Sequence, residues 1–243
     1  MSKKVFIGVG HGGKDPGAIG NGFNEADLNL SIALACQAEL LRHGVIVGMS
    51  RTTDVNDDLN EEIRECNAFA PDLAVDIHNN AGGGDGAEAY YHYGGGLSKT
   101  LADNILKEIV EVGQNSRGAK IKKNAAGKDY FGFIRLTNAP AVIVETAFVD
   151  NATDIKIIDT VAEQKAMGIA IAKGILKTLG IAYKATSAKP VIEKEKTIGD
   201  YIAVLNKANI ITNVPLWNEK ATKDNSIYWL IRKTAEYIEK NAR

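Results

Sequence analysis

The chain has 243 residues, 45% hydrophobic and 24% charged, with a net charge of -1. That composition fits one α/β domain with a large core plus a small appendage, and it excludes a chain disordered throughout. The near-zero charge excludes a molecule built to coat nucleic acid or a membrane surface, and no stretch approaches the ~20 apolar residues of a membrane span.

The opening residues, MSKKVFIGVGHGG, start basic but carry only a short apolar run with a polar loop directly behind it. They read as a first strand, Val5–Val9, rather than a secretory signal, so synthesis in the cytoplasm without such a signal is expected. Further strands are expected at Val45–Met49, Leu73–Ile77, Ala87–Tyr93 and Ala141–Val144. Most are short apolar runs bounded by Gly, Pro or Asp, as for strands buried on both faces.

Helical patterns lie between them. Leu28, Ile32, Ala35, Cys36 and Leu40 recur at helical spacing, and that helix stops at His43-Gly44. A second helix spans about Leu59–Phe69 and ends before Pro71. A third carries Leu97, Leu101, Ile105, Ile109 and Val112 as one stripe. A fourth runs from about Thr160 to Leu179. Alternating strands and helices predict an α/β fold: a mostly parallel twisted sheet with helices on both faces. The two cysteines, Cys36 and Cys66, match no metal spacing and read as buried free thiols.

Residues 182–197 lose this pattern and gain Lys, Glu, Ser and Pro, as a linker would. That divides the chain into a domain over 1–181 and a small helical domain over 198–243. The latter has one helix around Ile198, Tyr201, Ile202 and Leu205, and a second over about Ser226–Lys240. It is near the lower size limit for an independent core. Its aromatics, Tyr201, Trp217, Tyr228, Trp229 and Tyr237, could stack on sugar rings or form that core. Residues 184–243 are net basic while the remainder is net acidic.

Four residues carry candidate chemistry: His11, Glu25, His78 and Glu145. His11 follows the first strand, and Glu25 starts the first helix on the far side of the same Gly-rich loop. His78 and Glu145 follow two further strands. In open parallel sheets, ligands bind beyond the carboxyl ends of strands, so independent segments would converge there. Two imidazoles and one carboxylate match the ligand set of a catalytic zinc that keeps an open position, and a second carboxylate is left to activate water. The Gly-rich loop matches neither a dinucleotide-binding nor a P-loop spacing. Weaker candidates are Asn79 and Asn80, which could orient a substrate amide, and Arg135, which could contact a carboxylate. His43 reads as a structural cation at a helix end. His92 lies on an expected edge strand and reads as no ligand.

The segments GHGGKDPGAIGNGFNE (10–25), DIHNNA (76–81), GAEAYY (86–91) and FIRLTNAPAVIVETAFVDNATD (133–154) resemble the zinc-dependent N-acetylmuramoyl-L-alanine amidases of bacteria and their phages. The resemblance covers about residues 3–180, with four motifs in the family's order. It implies a sheet of about six strands. It assigns His11, Glu25 and His78 to zinc and Glu145 to catalysis. It also implies hydrolysis of the amide between N-acetylmuramic acid and L-alanine of peptidoglycan. Two departures stand out. Asp76 replaces the family's usual Ser, at a position expected to alternate away from the metal, and Ala147 stands where Gly is common. Residues 115–130 carry none of the motifs on which the resemblance rests, so substrate contacts there stay open.

Without a secretory signal, the expected setting is a phage endolysin, released by a holin or by lysis to act on the wall. For the tail, recognition of a secondary wall polymer and dimerisation are both open. The rival whole-protein readings are a zinc amide hydrolase acting on soluble muropeptides and a non-catalytic wall-binding protein.

Overall fold

The computed structural model describes residues 2–185, 197–208, 210, 213–223, 231, 234, 235 and 238. The chain divides into two compact units, Met1–Lys184 and Ala185–Arg243.

In the first unit the strands are β1 (Lys4–Val9), β2 (Ile19–Gly20), β3 (Phe23–Asn24), β4 (Ile46–Met49), β5 (Leu73–Asn80), β6 (Ala87–Tyr91), β7 (Ser116–Lys120) and β8 (Ala141–Phe148). The helices are α1 (Glu25–Arg42), α2 (Leu59–Phe69), α3 (Leu97–Val110), α4 (Gly132–Leu136) and α5 (Val161–Thr178), with a 3-10 turn at Ile155–Ile157. Six strands form one sheet in the order β4-β1-β5-β8-β6-β7, and β2 and β3 pair separately. The pairings are parallel except β6 against β8, so the expected mostly parallel sheet of six strands is the one observed.

The two faces of the sheet differ in how far they are covered. On one, Val5, Ile7, Val9, Val75, Ile77, Val142 and Val144 meet apolar residues of α1, α3 and α5, such as Ile32, Ile105 and Ile171. Helix α5 comes close because it carries glycines at its crossings. A Cβ on Gly168 would lie 2.4 Å from the Ile32 carbonyl oxygen, and one on Gly174 would lie 2.5 Å from the Ile105 Cα. The capping box of Thr160 and Glu163 starts this helix, each side chain bonding the other's backbone amide.

On the other face, Phe6, Ala74 and Ile143 pack against Ile63 and Cys66 of α2 and Phe133 and Ile134 of α4. This apolar layer covers only the first half of the strands. Because side chains alternate across a sheet, the next residues on the same face are Gly8 of β1, Asp76 and His78 of β5, and Glu145 of β8. Here the apolar cover gives way to charge.

Several sequence expectations need correction. His78 and Glu145 do not follow their strands; both lie within them, since β5 runs to Asn80 and β8 to Phe148. Strand β6 is not an edge but lies between β8 and β7, and His92 lies just past its end. The hairpin of β2 and β3, strand β7 and helix α4 were not anticipated. The first unit also extends past residue 181 into the expected linker. Tyr183 stacks on His43 at 5.1 Å, and Lys184 accepts from Arg42 at 2.6 Å and donates to the His43 ring at 2.9 Å.

The second unit contains α6 (Ile198–Lys207) and α7 (Val214–Lys223). Helix α6 opens with a capping box of Thr197 and Asp200. Tyr201, Ile202, Leu205, Ile231 and Ala235 are buried together, with Trp217 packed against them. The described aromatics of the tail therefore serve a core. The helix expected over 226–240 falls mostly outside the described residues, as do Tyr228, Trp229 and Tyr237.

Candidate metal centre

The loop between β1 and α1 presents two of the four candidate residues. Asn21-Gly22 makes the tight turn between β2 and β3, both residues with positive φ, as a two-residue hairpin of this handedness needs. The hairpin folds the loop back so that Glu25 enters α1 beside His11. Backbone bonds close the loop, from Glu25 N to the Ala18 oxygen at 2.9 Å and from Ala26 N to the Pro16 oxygen at 3.1 Å. The buried guanidinium of Arg51 braces it from behind, donating to the oxygens of Val9 at 3.0 Å, Gly10 at 3.2 Å and Ala26 at 2.8 Å. His11 itself is left-handed, φ 63°. That conformation is strained for most side chains, and such strain clusters at functional sites.

Glu25 is the hub. Its Oε2 lies 3.3 Å from His11 Nε2, and its Oε1 lies 3.0 Å from His78 Nδ1. It also accepts from the Ala18 amide at 3.0 Å and the Asn79 amide at 3.1 Å. The His78 ring lies flat over Gly10, where a Cβ would sit 2.1 Å from the ring, so only glycine fits beneath it. One ligand atom each from His11, Glu25 and His78 lie within 4.8 Å of one another, a spacing one metal ion could bridge.

Glu145 is the register partner of His78 across β5 and β8, and of Glu88 across β8 and β6. All three therefore share one face in a row across the sheet. The Glu145 Oε2 is buried and has no hydrogen-bond partner. Glu88, by contrast, is fully engaged. It accepts from Arg117 Nε at 2.7 Å, Tyr90 OH at 2.9 Å and Asn80 Nδ2 at 3.1 Å, and it pairs with Lys120.

Proton affinities follow from this geometry. Burial alone would raise the Glu25 carboxyl, but bonds from both imidazoles, the His78 charge and the Ala18 amide hold it well below the usual range. The bond to Glu25 raises His11 despite burial, with help from Asp15. Burial works to lower His78, yet the facing Asp76, Glu25 and Glu145 raise it well above an ordinary histidine. Burial pushes Glu145 up to about 7; the His78 charge works against this, and Glu25, Asp76 and Glu88 add to it. A carboxyl held near neutrality can both take and give a proton.

The donor set suits zinc: two imidazole nitrogens and one ionised carboxylate converge, a set that catalytic zinc sites use. Each imidazole also has an outer carboxylate. Asp15 Oδ2 lies 2.8 Å from His11 Nδ1, and Asp76 Oδ2 lies 3.1 Å from His78 Nε2.

Of the weaker candidates, Asn80 lies on the site face, bonded to Glu88. Asn79 does not. It points to the opposite face, buried, donating to Asn29 Oδ1 at 2.8 Å and accepting from Thr146. It is in no position to orient a substrate amide. Arg135 donates to the carbonyls of Asp129 at 2.6 Å and Tyr130 at 2.8 Å, so its cation ties down a loop. The expectation for Asp76 also fails. Positions 76 and 78 share a strand face, so Asp76 points toward His78, not away from it. Sequence reasoning missed Asp15, Arg51 and Glu88. The period-2 rule alone was enough to find Asp76.

Known proteins place the chain. The family model described as N-acetylmuramoyl-L-alanine amidase matches residues 5–177. The N-acetylmuramoyl-L-alanine amidase CwlM of Bacillus licheniformis is 36% identical over 195 residues, 76% of this chain and 74% of that protein. The endolysin of Bacillus phage SPP1 is 33% identical over 92% of this chain and 85% of that protein. Among solved structures, the catalytic domain of CwlV, an N-acetylmuramoyl-L-alanine amidase from Bacillus (Paenibacillus) polymyxa, superposes with a TM-score of 0.67 at 28% identity, covering 74% of this chain and 99% of that one. Cwp6 from Clostridium difficile gives a TM-score of 0.72 at 39% identity, covering 74% of this chain but 30% of that one. With a family model matching most of the chain and relatives matched over most of their own length, this protein belongs to the N-acetylmuramoyl-L-alanine amidase family.

Proposed function

We propose that this amidase binds zinc through His11, Glu25 and His78 and uses Glu145 to move protons while it hydrolyses peptidoglycan. The bond cut is the amide between the lactyl carbonyl of N-acetylmuramic acid and the nitrogen of L-alanine. The observation that carries the reading is the convergence of three ligand atoms within 4.8 Å, with Glu145 paired in register beside His78.

Zinc, when bound, would acidify a water and polarise the scissile carbonyl. The chain's own residues do the rest. Glu25, held ionised by its two imidazole neighbours, supplies negative charge to the cation. Gly10 lets the His78 ring lie against the backbone, so the ring has little freedom to turn. Glu145 takes a proton from the attacking water. As the water oxygen bonds to the carbonyl carbon and the C–N bond breaks, that proton passes to the leaving alanine nitrogen. The pKa of about 7 suits both transfers. No protein donor competes for the Oε2 of Glu145.

We further propose a lytic setting, in which the enzyme reaches the wall after release by a holin or by lysis. Similarity to a phage endolysin over most of both chains supports it. No described helix is long and apolar enough to cross a membrane.

Glu145→Gln tests the division of roles. The variant should keep one zinc per chain by metal analysis and lose roughly 100- to 10,000-fold in wall digestion. A variant that digests wall at the wild-type rate would refute the proton-transfer role.

A further inference from the structure

We propose that Asp76 is the positioning residue of His78, and that this chain fixes the metal-facing nitrogen of that ring through a buried carboxylate. The inference rests on the metal reading above.

The geometry gives each His78 ring nitrogen its own carboxylate. Nδ1 lies 3.0 Å from Glu25 Oε1, and Nε2 lies 3.1 Å from Asp76 Oδ2. An imidazole that holds a metal through one nitrogen carries its proton on the other, and the acceptor of that proton sets tautomer and ring orientation. With the proton on Nε2, Asp76 accepts it, and Nδ1 is left to face Glu25. His11 is arranged the same way, with Nε2 toward Glu25 and Nδ1 toward Asp15. The two outer carboxylates differ in their surroundings. The Asp15 side chain is 67% exposed and that of Asp76 is 3% exposed. Water screens the first contact and can replace it; it can do neither for the second.

Behind Asp76 lies a second buried carboxylate, Glu62. The Oδ1 of Asp76 and the Oε1 of Glu62 both reach the space beside Gly8, where a Cβ would lie 2.8 Å and 2.0 Å from them. Both atoms are buried, and neither has a hydrogen-bond partner. Gly8 and Gly10, alternate residues on the same face of the chain, thus open a slot that seats Glu62, Asp76 and the His78 ring in line. A side chain at either position would close it. The contact with His78 Nε2 is the hydrogen bond that Asp76 Oδ2 makes in this buried site, and leaving that oxygen unpaired as well would add to the cost.

Two readouts besides activity test this. The first is zinc affinity, measured by competition with a chromophoric chelator, for wild type, Asp76→Asn and Asp76→Ala. Asn can still turn a carbonyl oxygen to Nε2–H, with its amide directed at Glu62 Oε1; Ala can do neither. Asp76→Ala should weaken zinc binding roughly 10- to 100-fold, and Asp76→Asn distinctly less. Equal losses would mean that charge alone matters and would overturn the positioning role, as would no loss in either variant. The second readout needs no variant to fold. Nitrogen-15 spectra of zinc-loaded wild type should show His78 bonded to the metal through Nδ1, with Nε2 protonated and its proton protected from exchange. Metal on Nε2 would overturn the proposal. In metal-free wild type the Nε2 proton should still be protected, so a protein that takes up no zinc refutes the metal reading while this contact is judged separately. An unprotected proton there overturns the contact itself.

Discussion

At the scale of single residues, the site is organised by where a proton is stable. Glu25 stays ionised because two imidazoles and backbone amides offset its burial. The buried Oε2 of Glu145 has no hydrogen bond, and burial outweighs the His78 charge, so its carboxyl rises to about 7. A direct consequence concerns stability. An acid raised from an unfolded value of about 4.3 has a folded state that favours its protonated form. That stability is fully present below the unfolded pKa and is lost as pH rises through about 7. Glu145→Gln removes this dependence. In metal-free protein the variant should melt above wild type at pH 8, and the difference should vanish near pH 4, as followed by circular dichroism. A gap that widens toward acid would show that burial does not dominate at this position. The histidines predict metal uptake in the same way. Both are raised above ordinary histidine, and a metal must displace their protons. Zinc affinity should therefore fall steadily as pH drops from neutrality, with proton release on binding detected by calorimetry in two buffers of different ionisation enthalpy. An affinity flat with pH would mean that these nitrogens are not the ligands.

At the scale of elements, strand alternation and parallel register determine the centre. Strand period 2 puts Ala74, Asp76 and His78 on one face of β5, and parallel register then sets Glu145 of β8 beside His78. The shift from apolar to charged along that face marks the boundary between core and site. Gly10 is the local test. Gly10→Ala would force a Cβ to within 2.1 Å of the His78 ring, so the ring must leave its place. The variant should keep the wild-type circular dichroism spectrum but hold zinc at least about tenfold more weakly, in line with the effects seen when ligand orientation is lost. Unchanged zinc affinity would mean the ring does not need this seat.

Much of this layer was legible in the sequence. The strands with continuous apolar runs and the helices with clear stripes were found because burial alone specifies them. The family motifs then named the residues that meet. The rest was hidden for identifiable reasons. Strand β7, SRGAK, has no apolar pattern because it is an edge, and it is held by pairing and by the contacts of Arg117 and Lys120 with Glu88. Helix α4 is five residues long, too short to show a period. The Asn21-Gly22 turn was readable as a hairpin but lay inside a run of glycines that masked it. Asp76 was misplaced by treating position 76 as opposite to 78, although two residues along a strand share a face.

At the scale of the whole molecule, the chain is two units with separate cores. The first carries every residue of the candidate site and contains residues 5–177, which the family model matches. The second buries Tyr201 and packs the partly buried Trp217 against its own small core, which supports it as a folded unit. We propose that it recognises the wall surface. A chain ending at Lys184 should digest purified wall at close to the full-length rate and fail to pellet with target cells. Equal pelleting would remove the targeting role, and light scattering of both forms would show whether the tail instead joins two copies.

The most direct measurement of the central claim is the chemistry of the ends released when zinc-loaded enzyme digests purified peptidoglycan. Cleavage of the amide should liberate new alanine amino termini, with no rise in reducing sugar ends, and a chelator should stop their release until zinc is restored. Reducing ends without new amino termini, or digestion indifferent to the metal, would contradict the assignment.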